Sequence, residues 1–458
     1  MDGDERGVIN ILTVEEQIKT AIDLYNIERD DTISDEQAQK AYTLYTGLHR
    51  KPKYINEIDE IPSSSCFFKD PIKIISLRGW VLNVLPYIDL LSATGKLPLT
   101  RTTNDFEGYI NDVFENYLSA FNNINRLIPS QYRKINDNIF NKTKDMCEKI
   151  KGSIQLYYSG FPAEAYFELR DGLNKNIAIT GHFENNTVLS NTDKQVFYKM
   201  RVGTHHSFLK EEMFHIPFEL RGKVSTNRYS LPGIPCVYLG ISTLSCWEEL
   251  NKPDLKTIQT SIFESEKINY LDLSLPPAVF IEDLTREYSK RSVSGLIYEI
   301  VSYIMSWPLM AACSIRVKNK DDIFKPEYII PQLLLQYIRQ SEFIDGISYF
   351  STKIDNYTEE IYNIYRNFAF PVQGNEKKGL CSNLKEKFIV TDAVPWQTFE
   401  LYKESDYCLS FNFEEDKRYD IEFINGMKLL YTSTDFFKLE NFLKNKLILE
   451  KISSGRNE

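Results

Sequence analysis

The chain has no Cys-x-x-Cys pair, only five histidines and no surplus of positive charge, and each shortage excludes a class of function. Cys66, Cys147, Cys236, Cys246, Cys313, Cys381 and Cys408 are odd in number and scattered. Neither a disulfide framework nor a zinc ribbon is therefore expected, and a cytoplasmic, reducing environment suits them. Lys and Arg total 54 against 64 Asp and Glu, a net charge of −10 with a pI near 5.3. Nucleic acid is not an expected partner, because neutralising phosphates needs clustered cations. Much of the acid lies in the first 35 residues and reads as a solvated surface. His205, His206 and His215, with one Glu-x-x-His run from Glu212 to His215, fall short of the paired motifs and extra carboxylates of a di-iron site. No metal is expected.

Long apolar runs are also missing. The most apolar stretch, Gly295 to Ile315, contains Glu299 and Pro308 and reads as a buried helix followed by a strand over Ala311 to Val317, so no membrane span is expected. The opening MDGDERGVINIL has no basic region and no long apolar core, so no signal peptide is expected either. P-loop, Gly-x-Gly-x-x-Gly, Gly-x-Ser-x-Gly and His-Glu-x-x-His motifs do not occur, which leaves nucleotide-loop, hydrolase-elbow and zincin chemistry without support.

Aromatics are abundant, with 28 Tyr and 28 Phe among 458 residues, and favour a large packed interior. The N-terminal third reads as helical. Thr13 with Glu16, and Ser34 with Gln37, have capping-box spacing. Phe106, Tyr109, Ile110, Val113, Phe114, Tyr117, Leu118 and Phe121 line one helical face as core. Further helices are expected near Asn138 to Tyr158 and from Pro162 through Leu173. Asn174 to Gln195 is polar and rich in Asn and Thr, and marks a domain boundary.

Beyond it the pattern is α+β. Strands are expected at Val196 to Val202, Cys236 to Leu239, Thr257 to Phe263 and Ile268 to Leu273, with helices at Ser242 to Leu250 and Glu327 to Arg339. Asn425-Gly426 signals a hairpin between Tyr419 to Ile424 and Met427 to Tyr431, and a helix follows over Asp435 to Leu447.

The segment from Arg228 to Glu249 has an Arg, a Gly five residues on (Gly233), a Tyr ten on (Tyr238) and an acidic residue eleven beyond that Tyr (Glu249). Phe197-Tyr198-Lys199-Met200-Arg201 precedes it, and Phe343 to Ser351 holds an aromatic strand that follows a Gly and ends in Ser. In this order the segments resemble the RES domain, whose members have an ADP-ribosyltransferase-like fold and degrade NAD. Ser153 to Tyr166 resembles the helical HEPN-like domain that precedes some RES domains. The resemblance divides the chain into a helical extension (1–60), a HEPN-like domain (61–185), a RES domain (197–400) and a C-terminal hairpin and helix (401–458). The expected fold is thus a helical N-terminal domain followed by a mixed α/β ADP-ribosyltransferase-like domain.

The same resemblance implies a toxin of a toxin-antitoxin or phage-defence system, acting as an NAD glycohydrolase, NAD phosphorylase or ADP-ribosyltransferase. Glu249, Arg228 and Ser351 would be catalytic. Arg201, Tyr238, Lys199 and Tyr198 would bind substrate, with either Lys199 or Arg201 in the place of the family's first Arg. The long interval between Glu249 and Ser351 leaves Ser314 and Ser292 as rival serines. NAD would be a substrate rather than a cofactor, and inorganic phosphate a co-substrate in one version of the reaction. An antitoxin or sensor protein, or a second copy in a homodimer, would be the partner. The competing reading is a HEPN-type ribonuclease or RNA-binding toxin with an inactive RES domain. Arg201 to His206 formally matches its R-x4-H motif, but in a strand-rich stretch, and residues 100–175 contain no His.

Overall fold

A computed structural model describes residues 12–49, 64–176, 194–286, 292–403, 420–424 and 426–452. Most of the expected boundary over Asn174 to Gln195, residues 177–193, lies outside them. Two compact units are present: Met1–Lys96 with Gly108–Cys147 and Phe280–Pro308, and Leu97–Glu107 with Glu148–Val279 and Leu309–Glu458.

The first unit is helical. The Val14–Asp23 helix opens with the expected capping box: Glu16 N–H donates to Thr13 Oγ1 (3.2 Å), and Thr13 N–H donates back to the Glu16 carboxylate (2.7 Å). Ser34 and Gln37 make the same reciprocal pair ahead of the Asp35–His49 helix. Along the Phe106–Leu127 helix, Ile110, Phe114, Tyr117 and Phe121 are buried at helical spacing. Tyr117 stacks on Trp307, with ring centroids 3.9 Å apart.

Pro308 does not end the apolar helix as its sequence position suggests, for the helix runs Val293–Cys313 with the proline inside it. Proline cannot donate to the carbonyl four residues back. That carbonyl, on Ile304, instead accepts from the Tyr117 hydroxyl at 3.3 Å. The strand expected over Ala311 to Val317 is accordingly absent: helix continues to Cys313 and irregular chain follows. Pro71–Ala93 and Val293–Cys313 have the length and composition of membrane spans, yet 72% of the apolar window of each is buried inside the protein.

The second unit is mixed α/β. Its strands are β1 (Gln195–Val202), β2 (Cys236–Gly240), β3 (Ile258–Ser265), β4 (Tyr270–Leu273), β5 (Gly346–Phe350), β6 (Arg366–Pro371), β7 (Ile389–Val390), β8 (Val394–Pro395), β9 (Asp420–Ile424), β10 (Met427–Leu430) and β11 (Glu450–Lys451). They form a nine-stranded sheet in the order β11-β7-β3-β1-β2-β6-β5-β4, with β8 also on β3, and a separate β9-β10 hairpin at the expected place. All pairs are antiparallel except β4 with β5.

Register assigns the two faces of this sheet. Tyr198 pairs with Gly240, Gly240 with Asn367, and Asn367 with Tyr349, so these four share a face with Tyr238. Phe197, Val237, Leu239, Phe368 and Phe370 point the other way, into a core with Phe214, Phe218 and Phe388. The Tyr198 face is covered by Trp396 and Phe399 and by Leu439, Phe442 and Leu443 of the Asp435–Lys446 helix.

Candidate active site

Glu249 ends the short Thr243–Glu249 helix, which follows β2 directly. Ser242 caps that helix, its Oγ accepting from Ser245 N–H (2.9 Å) and donating to the Ile364 carbonyl (2.9 Å). Close packing of the helix on β2 depends on Gly240, where a Cβ would lie 2.8 Å from Cys246 Sγ. After the helix, Asn251 and Lys252 adopt left-handed backbone (φ 63° and 56°), which turns the chain away sharply. Lys353 Nζ crosses to the exposed helix end and donates to the Glu248 carbonyl (2.5 Å), the Glu249 carbonyl (3.2 Å) and Asn251 Oδ1 (3.0 Å). A cation at a helix C-terminus satisfies carbonyls that have no partner within the helix.

The helix separates its two adjacent carboxylates. Glu248 pairs with Lys252 (2.9 Å), whereas Glu249 Oε1 accepts from Ser351 Oγ (2.7 Å) and from Asn367 Nδ2 (2.9 Å). Among the described residues, Glu249 Oε2 has only a distant ion pair with Lys353, at 3.8 Å. Residues 102 and 118 positions apart in sequence thus converge on one carboxylate oxygen. Of the three candidate serines, Ser351 makes this contact; Ser314 Oγ donates weakly to the Ala311 carbonyl and Ser292 caps the Val293–Cys313 helix. Ser351 is itself fixed, because its carbonyl accepts from Tyr357 Oη (2.6 Å) and Arg316 binds the carbonyls of Thr352 and Ile354.

An aromatic wall adjoins the carboxylate. Tyr238 Oη donates to the Tyr229 carbonyl (2.6 Å), and the Tyr229 and Tyr349 rings lie 4.4 Å apart. The guanidinium of Arg228 sits over the Tyr328 ring, 5.3 Å from its centroid. Burial pushes the Tyr238 and Tyr349 phenols well above their ordinary range and raises Tyr328, with the Glu249 charge reinforcing the shift at Tyr349 and Tyr328 and Arg228 opposing it. These phenols stay protonated at neutral pH. Both terminal nitrogens of Arg228 are engaged, donating to the carbonyls of Cys313 (3.0 Å) and Ile315 (2.8 Å).

The other three residues expected to bind substrate are divided between the two faces of the sheet, with Tyr198 on the face of Tyr238 and Asn367. Tyr198 is 2% exposed within the Trp396 core. Lys199 and Arg201 share the Phe197 face, where Lys199 Nζ donates to the Phe214 carbonyl (2.7 Å) and Arg201 lies over the Phe208 ring while donating to the Glu212 carbonyl. Burial lowers the Lys199 ammonium to about 8. Of the R-x4-H match, Arg201 is on a strand and His206 in a loop, bound to Glu212 (3.0 Å). His215 is a buried neutral link, accepting from Cys381 N–H at Nε2 and donating from Nδ1 to the Ile216 carbonyl. A cavity of about 460 Å³ opens between Ser207, Pro395, Tyr402 and Leu447, with none of the Glu249 cluster in its lining.

Tyr349 belongs to the aromatic strand that leads to Ser351, whereas Asn367, Lys353 and Tyr328 carry no signal in the sequence that marks them for this cluster. They reach it through strand register and loop closure.

The chain is 34% identical over 434 residues to "Putative toxin YopC" of Bacillus subtilis (strain 168), covering 91% of this chain and 95% of that protein. It belongs to the YopC family. No family model matches the sequence, and no solved structure matches either. Because the similarity to YopC spans nearly the full length of both chains, it takes in the helical unit as well as the sheet and the Glu249 cluster.

Proposed function

We propose that the chain is a toxin that cleaves the bond between nicotinamide and ribose in NAD, with the mixed α/β unit acting as a RES-type, ADP-ribosyltransferase-like domain. The observation that carries this reading is Glu249, held by Ser351 and Asn367, with Oε2 lacking a close partner among the described residues and with the half-buried Tyr349 and Tyr328 near enough to feel its charge. The name of its relative adds support for the toxin role.

In this reaction the C1′–N bond breaks with its electron pair going to nicotinamide, which leaves neutral, and positive charge develops on the ribose. A preorganised carboxylate stabilises that charge in the transition state. Oε2 of Glu249 is the oxygen suited to face it. Ser351, hydrogen-bonded to the same carboxylate, would contribute its hydroxyl to positioning the ribose or a phosphate. Tyr238 and Tyr349 offer faces for the pyridine ring. Binding of the pyrophosphate by Arg228 requires that its planar fork exchange the Cys313 and Ile315 carbonyls for phosphate oxygens. Phosphate, water or a protein side chain then adds at C1′; the leaving-group chemistry is common to all three, so only the products separate them.

Controlled expression in a bacterial host tests the reading. NAD should fall before growth stops, and both effects should vanish with Glu249→Gln. Growth arrest at constant NAD, accompanied by RNA fragmentation, would favour the ribonuclease alternative.

A further inference from the structure

The carboxylate of Glu249 does not orient itself. Asn367 is 3% exposed on β6, opposite Gly240 of β2 and Tyr349 of β5. Its Nδ2 donates to Glu249 Oε1 (2.9 Å) while its Oδ1 accepts from Ser245 Oγ (2.8 Å), and Ser245 is one helical turn before Glu249. The amide thereby grips one helix at two points. Its polarity is fixed by the pair: the hydroxyl of Ser245 donates to the oxygen, so the nitrogen faces the carboxylate.

We propose that Asn367 is a positioning residue that, with Ser245 as its anchor, sets the rotamer of Glu249 so that Oε1 is used up by protein donors and Oε2 is directed to substrate. Two donors converge on Oε1, and among the described residues the group recorded against Oε2 is Lys353, at an ion-pair distance of 3.8 Å. This division of labour needs the amide, because Ser351 alone leaves the carboxylate free to rotate about a single contact. The proposal rests on the NAD-cleaving reading for its kinetic consequence but not for its geometry.

The test compares wild type, Asn367→Ala, Ser245→Ala and the double variant Ser245→Ala/Asn367→Leu, which removes both polar partners together and leaves neither buried and unpaired. Steady-state NAD cleavage is expected to lose about 100-fold in kcat for Asn367→Ala, the scale of an ångström-sized misplacement of a reacting group, with KM almost unchanged. Ser245→Ala should lose less, and the double variant should match Asn367→Ala while unfolding at a temperature close to wild type. Equal losses in kcat and stability across the series, or an unchanged kcat in the double variant, would overturn the positioning role. Crystal structures of wild type and the double variant supply a readout that needs no activity. Glu249 is expected to leave its Ser351 contact or populate several rotamers, whereas an unmoved carboxylate would refute the proposal. A wild-type protein that leaves NAD intact would count against the functional reading alone, and the crystallographic comparison would still decide the role of Asn367.

Discussion

Glu249 and its neighbour Glu248 differ in what they touch, and that difference makes a sharp test. Glu249→Gln keeps the shape and can still accept from Ser351 and Asn367, but it removes the charge. A loss of about 100- to 1000-fold in NAD cleavage is expected, the cost of removing one preorganised electrostatic stabiliser. Glu248→Gln, which disturbs only the ion pair with Lys252, should stay within a few-fold of wild type. Steady-state assays of the two purified variants check both expectations.

His215 provides a pH signature independent of catalysis. Burial holds its imidazole at about 4, below the usual 6.5, and the Lys199 and Lys385 charges act in the same direction against the Ile216 hydrogen bond and Glu376. The unfolded chain therefore binds the extra proton first. Stability from this residue is fully present above about pH 6.5 and is lost as pH falls toward 4, a change of roughly 3 kcal/mol. Urea unfolding of wild type and His215→Gln at pH 7 and pH 4.5 should show the wild type losing more stability by about that amount. Equal losses would mean that His215 is not buried in its neutral form.

At the scale of elements, the helix bearing Glu249 is held from its other end by the C-terminal helix. Glu440 is fully buried, and its Oε1 accepts from Thr243 N–H (2.9 Å) and from Tyr431 Oη (2.5 Å), while Thr243 Oγ1 donates to the Phe436 carbonyl (3.0 Å). Glu440→Ala would leave a backbone donor and a phenol without their acceptor in the core, at a cost of about 1–3 kcal/mol for each. A lowered unfolding temperature and reduced NAD cleavage are expected together, and Glu440→Gln, which retains an acceptor oxygen, should recover most of both. Normal activity in a folded Glu440→Ala protein would separate the C-terminal helix from the site.

These elements also mark what could be read in advance. Capping pairs such as Thr13 with Glu16, and the Ile110 to Phe121 stripe, are local, so the chain carries them in plain sight. The convergence of Glu249 and Ser351 was legible only through family resemblance, since no local rule links positions 102 residues apart. Tyr198 cannot share a binding surface with Lys199 or Arg201, because alternation along a strand sends neighbours to opposite faces and Lys199 and Arg201 follow Phe197. The strand expected over Ala311 to Val317 failed because a tertiary contact, Tyr117 to the Ile304 carbonyl, sustains helix around Pro308. Asn367 stayed hidden because its partners are set by the register of β2, β6 and β5.

For the whole molecule, the proposed activity of this member of the YopC family is cleavage of NAD through Glu249. Its acidic balance of 54 cations against 64 anions suits a small anionic substrate held by one or two local arginines better than a polyanion that needs a broad cationic face. The similarity to YopC extends over 91% of this chain, beyond the Glu249 cluster, so the experiment uses the whole chain. The most direct measurement incubates purified full-length protein with NAD, with and without inorganic phosphate, and identifies the products by mass. Free nicotinamide should appear, matched by ADP-ribose, a phosphorylated ADP-ribose or an ADP-ribosylated protein according to the acceptor, and all of it should disappear with Glu249→Gln. Intact NAD from wild-type protein that still arrests growth in cells, or equal nicotinamide release by wild type and Glu249→Gln, would contradict the account.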